Sequence, residues 1–385
     1  MPTSLTPEQM KTLLVSVFLP KEEDRTLAVL VDVPNAAVPD HEAWRDRRAL
    51  AWEWKQTIEG LKEELGLTEV LLLGYENVGS NNAELPQTVV AVGSDPADLD
   101  ARILSASGPI IPLVEVLGRS QILLAPTEFS TTAPLKLLAK KMRFRAATLP
   151  GFSRAMLPAL GLDYEKVHAR VQQLAHRLDE AEGAALEFTA GMNKYQLLLD
   201  LRLRLAHSSS GLIREMHSAG NLPSGEAYIV PNEGEREPTG SHGELPVQFG
   251  DEVVIFKVEG NRAVEARPHS WARRVAADEQ AKALAEEPAY GNLAELGLGV
   301  LGEFGVQACG ATLLDEKLGL HVAFGRSDHF GSVTSPASFK DPKRVIHIDW
   351  VYVPSVQPAI TVASARLVYP GGREEEILRD GRYVV

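Results

Sequence analysis

Val345-Ile346-His347-Ile348-Asp349-Trp350, read with Leu320-His321-Val322-Ala323-Phe324-Gly325, sets a histidine inside each of two apolar, β-branched runs. Such runs predict strands, and an imidazole is out of place in their interior. Strand side chains alternate between faces, so His347 and Asp349 aim at one point. An imidazole nitrogen and a carboxylate oxygen with a common focus form a metal-ligand pair, because both donate lone pairs to a divalent cation. One such histidine alone reads as a core residue hydrogen-bonded to backbone. Two of them, one with an aspartate in register, predict a metal site in a β-rich C-terminal half.

Working outward, the second half carries further strand-like runs separated by Gly, Pro and Asn. They are Leu197–Leu205, Glu226–Val230, Val253–Val258, Gly319–Phe324, Val345–Val353 and Ala359–Val368. One acidic, alanine-rich helix is expected between them, over Trp271–Glu287, and Asn232–Gly243 reads as a mobile surface loop. The first half alternates instead. Leu27–Val33, Val70–Leu73, Val89–Val92 and Ile122–Ala125 read as strands. Helical stretches are expected at Trp44–Leu65, Pro109–Leu117 and the basic Leu135–Arg145. That alternation predicts an α/β domain with an open, mostly parallel sheet. Tyr164–Glu180 is an amphipathic helix, with Val167, Val171, Leu174 and Leu178 at steps of four, three and four. The boundary is placed near 185, giving an α/β domain over 1–184 and a β-rich α+β metal-binding domain over 185–385.

Composition narrows the chemistry. The 385 residues are 44% hydrophobic and 24% charged, as in an ordinary soluble globular protein. A formal charge of -13 with no Lys/Arg-rich block argues against nucleic acid as a partner. The one cysteine, Cys309, excludes an intramolecular disulfide and a multi-cysteine zinc site. No basic, apolar leader and no membrane-length apolar run is present, so a cytoplasmic protein is expected. The alternating first half contains no GxGxxG and the chain no GxxxxGK[ST], so a nucleotide fold has no support.

Two glutamates stand in unusual settings. Glu226 follows the turn Asn221-Leu222-Pro223-Ser224-Gly225 at the mouth of an apolar strand. Glu295 is the only charge in Gly291-Asn292-Leu293-Ala294-Glu295-Leu296-Gly297-Leu298-Gly299. A buried glutamate costs several kcal/mol unless it is paired or bound to a cation. Helix caps, a salt bridge to arginine, or a turn facing water are the structural alternatives for each.

The order of these motifs resembles the M29 metallo-aminopeptidases, the aminopeptidase T group. Asn-x-Pro-x-Gly-Glu-x-x-x-x-Pro at 221–231 is followed by the Gly-rich run around Glu295. Asp315-Glu316-Lys317 comes next, then His321-x-Ala323-x-Gly325, then His347-x-Asp349. The similarity spans about 220–350 and extends weakly to Ala146-Ala147-Thr148-Leu149-Pro150-Gly151. It implies two divalent ions held by Glu226, Glu295, His321, His347 and Asp349. Asp315 and Glu316 would add a further ligand or an outer acceptor, and the family's dimerisation implies a homodimer. Two departures stand out: the family's tyrosine, seven residues after the first histidine, is Asp328 here, and Asp-Glu-Asn is Asp-Glu-Lys. The chain is also distantly similar to the 2,5-dihydroxypyridine dioxygenases, which bind one iron(II) through two histidines and an aspartate; here these would be His321, His347 and Asp349.

Two cations roughly 3.5–4 Å apart need a bridging carboxylate and water, and Glu295 is the candidate bridge. Glu295 or Glu316 would then carry the proton to the leaving amine. Oxygen-rich ligands leave zinc, cobalt and manganese open. The resulting expectation is an aminopeptidase-like hydrolase of a small peptide or amide. A ring-cleaving iron dioxygenase and a non-catalytic metal-binding relative are the alternatives.

Overall fold

The computed structural model describes residues 3–270, 272–342 and 344–385. Trp271, the expected first residue of the acidic helix, lies outside them. The chain divides into two compact units, Met1–His168 with Ser209–Ser224, and Ala169–Ser208 with Gly225–Val385. The single boundary expected near 185 falls inside a strand, Gly183–Ala190, whose sheet partners all belong to the second unit.

In the first unit the chain forms β1 (Thr26–Val33), β2 (Glu69–Glu76), β3 (Thr88–Ala91), β4 (Ile110–Pro112), β5 (Ile122–Ala125) and β6 (Arg145–Thr148). It then makes β7 (Gly183–Ala190), β8 (Asn193–Asp200) and the short β9 (His207–Ser209), and returns to the first unit as β10 (Ser218–Asn221). The first sheet runs β10-β6-β5-β1-β2-β3-β4. Its pairs from β10 to β2 are parallel, while β3 and β4 are added antiparallel at one edge. This is a mixed α/β arrangement with a mostly parallel sheet. Every residue of β1 is buried, which is why it reads as an unbroken apolar run. The one charge in that run, Asp32, accepts hydrogen bonds from Trp44 Nε1 (3.0 Å), Asn77 Nδ2 (2.6 Å) and the Glu128 amide (2.9 Å).

Several helical expectations shift. The first helix, Pro7–Phe18, starts at a capping box between Thr6 and Gln9. The Trp44–Leu65 helix is observed at Glu42–Leu61. The stretch from Pro109 opens as β4 before Leu113–Arg119 turns helical, and the basic helix occupies Thr132–Ala139 and yields to β6.

The second unit continues with β11 (Glu226–Ile229), β12 (His242–Phe249), β13 (Glu252–Glu259), β14 (Arg262–Pro268), β15 (Leu293–Gly299), β16 (Leu320–Gly325), β17 (His347–Val351), β18 (Ile360–Val368), β19 (Glu374–Arg379) and β20 (Arg382–Tyr383). Among the described residues these form an eight-stranded sheet, β14-β13-β12-β8-β7-β18-β19-β20, and a five-stranded one, β17-β16-β15-β11-β9. Aromatic contacts join the two sheets: Phe256 to Phe324 at 5.1 Å, Phe249 to Trp350 at 5.0 Å, and Phe188 to Tyr352 at 4.7 Å between ring centroids. The 232–243 segment, expected to be mobile, is pinned by Glu233. Its carboxylate accepts from Ser327 Oγ, Asn292 Nδ2, and the Thr334 amide and hydroxyl.

Candidate metal centre

The antiparallel register of the five-stranded sheet decides which side chains share a face. Gly299 pairs with Glu226, and Gly297 with both Tyr228 and His321. Ala323 pairs with both Glu295 and Asp349, and Gly325 with His347. Cross-strand partners and alternate residues lie on one side, so Glu226, Tyr228, Glu295, His321, His347 and Asp349 all project from the same face. Gly297, Gly299, Ala323 and Gly325 lie between them. The opposite face carries Ala227, Ile229, Leu296, Leu298, Leu320, Val322, Phe324, Ile348 and Trp350, and it is through Phe324 and Trp350 that the sheet meets the aromatic core. Two periods are superimposed in these strands, an apolar core face and a face on which ligand-type residues alternate with small ones. An irregularity between Leu293 and Glu295 breaks the ladder just where Glu295 is presented.

The small residues create room. A Cβ on Gly297 would stand 2.0 Å from His321 Nε2, so the imidazole lies across the strand where a side chain would be. A Cβ on Gly299 would stand 2.3 Å from the Lys317 carbonyl carbon, so this glycine admits the short turn Glu316–Leu318 against the sheet.

All five expected ligands come together. His321 Nε2 is 3.3 Å from Glu295 Oε1 and 3.7 Å from Glu226 Oε2. His347 Nε2 is 3.4 Å from Glu295 Oε2 and 3.5 Å from Asp349 Oδ1. Each ring is anchored from behind, His321 by Nδ1 donating to the Gly319 carbonyl (3.2 Å) and His347 by Nδ1 donating to the Arg326 carbonyl (2.8 Å). A carbonyl only accepts, so Nδ1 holds a proton and Nε2 is turned toward the carboxylates, the usual outer support of a metal-ligating histidine. Among the described residues, two groups of three can converge on an ion: Glu226 with Glu295 and His321, and Glu295 with His347 and Asp349. Glu295 belongs to both. His321 and His347 fall into different groups.

Electrostatics follow from this crowding. Burial opposes ionisation of Glu295, yet the two imidazoles hold its carboxyl down at about 2. Burial likewise disfavours a charged His321, but Glu295, Glu226 and Asp349 lift it to about 9. His347 is raised and Asp349 lowered by their mutual hydrogen bond, against burial in both cases. Glu316 is pushed up to about 8, by burial first and by the Asp349 and Glu226 carboxylates next, with Lys317 opposing.

Asp315 is not part of the cluster. Its carboxylate accepts from the amides of Cys309 and Gly310, both at 2.9 Å, and closes the preceding loop. Glu316 is placed at the margin of the site through Lys317, whose ammonium it shares with Glu226. Asp328, at the position of the family's tyrosine, is ion-paired with Arg326. Four residues not expected from sequence border the centre. Tyr228 stacks on His207 (5.1 Å) and packs on Phe330 (4.8 Å), and His329 lies edge-on to His347 at 5.1 Å. Strand alternation, two residues after Glu226, was a signal that could have found Tyr228; His207 opens the short β9 and His329 and Phe330 lie in the turn Asp328–Phe330, with no such signal.

The residues fit a metal. Glu226 Oε2 is buried with no hydrogen-bond partner and faces His321 Nε2, a buried anionic oxygen left for a ligand the protein itself does not supply. The donors are carboxylates and imidazoles without thiolate, a set suited to zinc, manganese, cobalt or iron(II).

No family model matches the chain, and no curated protein matches it. Two solved structures share its fold over nearly the whole length. The 2,5-dihydroxypyridine dioxygenase from Pseudomonas putida KT2440 aligns with a TM-score of 0.60 at 12% identity, covering 99% of this chain and 98% of that one. Wild-type AmpT from Thermus thermophilus aligns with a TM-score of 0.55 at 15% identity, covering 98% and 99%. Both groups that the sequence resembles are thus represented among its structural neighbours.

Proposed function

We propose that this chain is a metal-dependent hydrolase that cleaves an amide bond of a small substrate, first of all the N-terminal residue of a peptide. The observation that carries the reading is the division of Glu295. Oε1 faces His321 and Oε2 faces His347, and each imidazole belongs to its own three-residue group. A carboxylate so shared is suited to bridge two ions. Glu226, Glu295 and His321 would hold one, and Glu295, His347 and Asp349 the other. Bound there, divalent ions supply Lewis acidity toward a carbonyl and make a water acidic enough to ionise near neutral pH. The chain's own part is to fix the donors and to move a proton. With Glu295 committed to both imidazoles, Glu316 is the carboxyl left to give a proton to the leaving amine and regain one from the attacking water. Burial among carboxylates keeps that carboxyl a weak acid.

An iron(II) ring-cleaving dioxygenase is the second reading, favoured by the dioxygenase neighbour of the same fold. Against it, His321 and His347 sit in separate groups, and both glutamates take part in the cluster. Metal analysis of protein purified without chelator, beside assays on aminoacyl amides and dipeptides, tests the choice. Two equivalents and release of an N-terminal residue are expected. One equivalent of oxygen-sensitive iron with ring cleavage overturns the hydrolase. Two equivalents with no amide turnover leave a metal binder.

A further inference from the structure

The two halves of the centre differ in one respect that neither ligand group contains. Lys317 is buried, with 4% of its surface exposed. The turn that carries it lies against Gly299, where no side chain obstructs it. Its ammonium is 2.5 Å from Glu226 Oε1 and also pairs with Glu316. Two carboxylate contacts in a buried setting fix it as a cation. Glu226 therefore has one oxygen committed to Lys317 and only Oε2 left over, facing His321. Glu295, His347 and Asp349 have no contact with any lysine or arginine side chain among the described residues.

We propose that Lys317 is a resident cation that makes the centre asymmetric. The Glu295–His347–Asp349 position takes the first divalent ion, and the Glu226–Glu295–His321 position takes a second one that is weaker and exchangeable. The inference rests on the metal centre of the reading above, not on its reaction. The physical reason is charge. An ion on Glu226 Oε2 shares its carboxylate with an ammonium, which withdraws electron density from the donor and repels the ion across a few ångströms of poorly screened space. An ion at the other position keeps two carboxylates that make no direct ion pair with a lysine or arginine among the described residues. A neutral residue in place of Lys317 would leave Glu226 free to bind through either oxygen.

The test is titration of chelated, full-length protein with Mn2+ alone and with Zn2+ alone, followed by calorimetry and equilibrium dialysis. Wild type should bind in two steps, the first at least about tenfold tighter than the second. Glu226→Gln should lose the second step and keep the first. Lys317→Gln should bring the two steps together, whereas Lys317→Arg, which keeps the charge, should leave them apart. Two equal steps in wild type overturn the asymmetry while leaving the hydrolase reading standing. So does a step ratio unchanged in Lys317→Gln, or a second step retained in Glu226→Gln. If Lys317→Gln does not fold, the wild-type and Glu226→Gln titrations decide. No second step at any concentration of Mn2+ or Zn2+ overturns the dinuclear reading itself, and no binding of either ion removes the centre.

Discussion

The imidazole of His321 lies over Gly297, its partner across the β15–β16 pair, in the space where any other residue's Cβ would be. The ring is thus held by an absence: a Cβ at 297 would stand 2.0 Å from Nε2, the atom 3.3 Å from Glu295 and 3.7 Å from Glu226, so filling that space displaces it.

Gly297→Ala is accordingly expected to push His321 off the Glu226–Glu295 side. Strand geometry itself tolerates alanine, so the protein should fold with a loss of about 1–3 kcal/mol from overpacking. Affinity for the ion on the His321 side should fall about 10- to 100-fold, as when a ligand loses its orientation. Metal titration beside a denaturant midpoint checks both numbers. Unchanged metal affinity would show that His321 is not a ligand.

Glu295→Gln keeps the shape of the side chain and removes its charge. Both imidazoles lose one anionic partner at once, His321 keeping Glu226 and His347 keeping Asp349, so both ions should bind more weakly. Stability of the chelated protein should drop by about 3–5 kcal/mol, the cost of breaking a buried pair. A folded mutant with full metal content would take Glu295 out of the centre and leave it as a structural ion-pair partner.

Why some of this was legible and some not has a physical basis. His347 and Asp349 announced themselves because a polar pair at period two inside an apolar run has only one face to share. Glu226 and Glu295 were visible as charges in places where a charge is costly. β15 itself was not read as a strand, since Gly297 and Gly299 lower strand propensity, and it is these glycines that make room for the imidazole and for the Lys317 turn. The contact of Lys317 with Glu226 bridges ninety-one residues of sequence and depends on that close approach, so no local pattern reports it. In the first unit β1 and β5 read easily as buried runs, while β10 joins the sheet beside β6 from far along the chain and is short and polar, Ser218-Ala219-Gly220-Asn221. The first helix, Pro7–Phe18, was not read from the sequence, although its Thr6-Pro7-Glu8-Gln9 start carries a capping signal with proline at the first turn.

Asp315 offers a control. It holds the Cys309–Gly310 loop by two backbone hydrogen bonds and contacts none of the five clustered residues through its carboxylate. Asp315→Ala should therefore lower stability by about 1.5–3 kcal/mol and leave metal stoichiometry as in wild type. Loss of an ion in the folded variant would return Asp315 to the ligand set that the sequence resemblance allows.

The last expectation concerns pH. In the chelated protein His321 is raised to about 9, so the folded state holds a proton that the unfolded chain releases near 6.5. Its stabilising contribution is complete below about pH 6.5 and is lost as pH rises toward 9. Glu316, raised to about 8, acts in the same direction: the folded state keeps its proton over a range where the unfolded carboxyl is ionised, and stability falls as pH climbs to 8. Glu295 works oppositely but elsewhere, since a carboxyl held at about 2 contributes stability above its ordinary range and loses it only in acid. Between pH 6.5 and 8 the first two effects add, and the Tm of chelated protein should decline. Divalent ions take the place of the His321 and His347 protons, so their affinity should rise over the same interval and each binding step should release protons. Thermal melts with and without Mn2+, and calorimetry in buffers of different ionisation enthalpy, measure the two trends. A Tm that rises with pH in chelated protein, or binding with no proton release, would separate the imidazoles from the ion site.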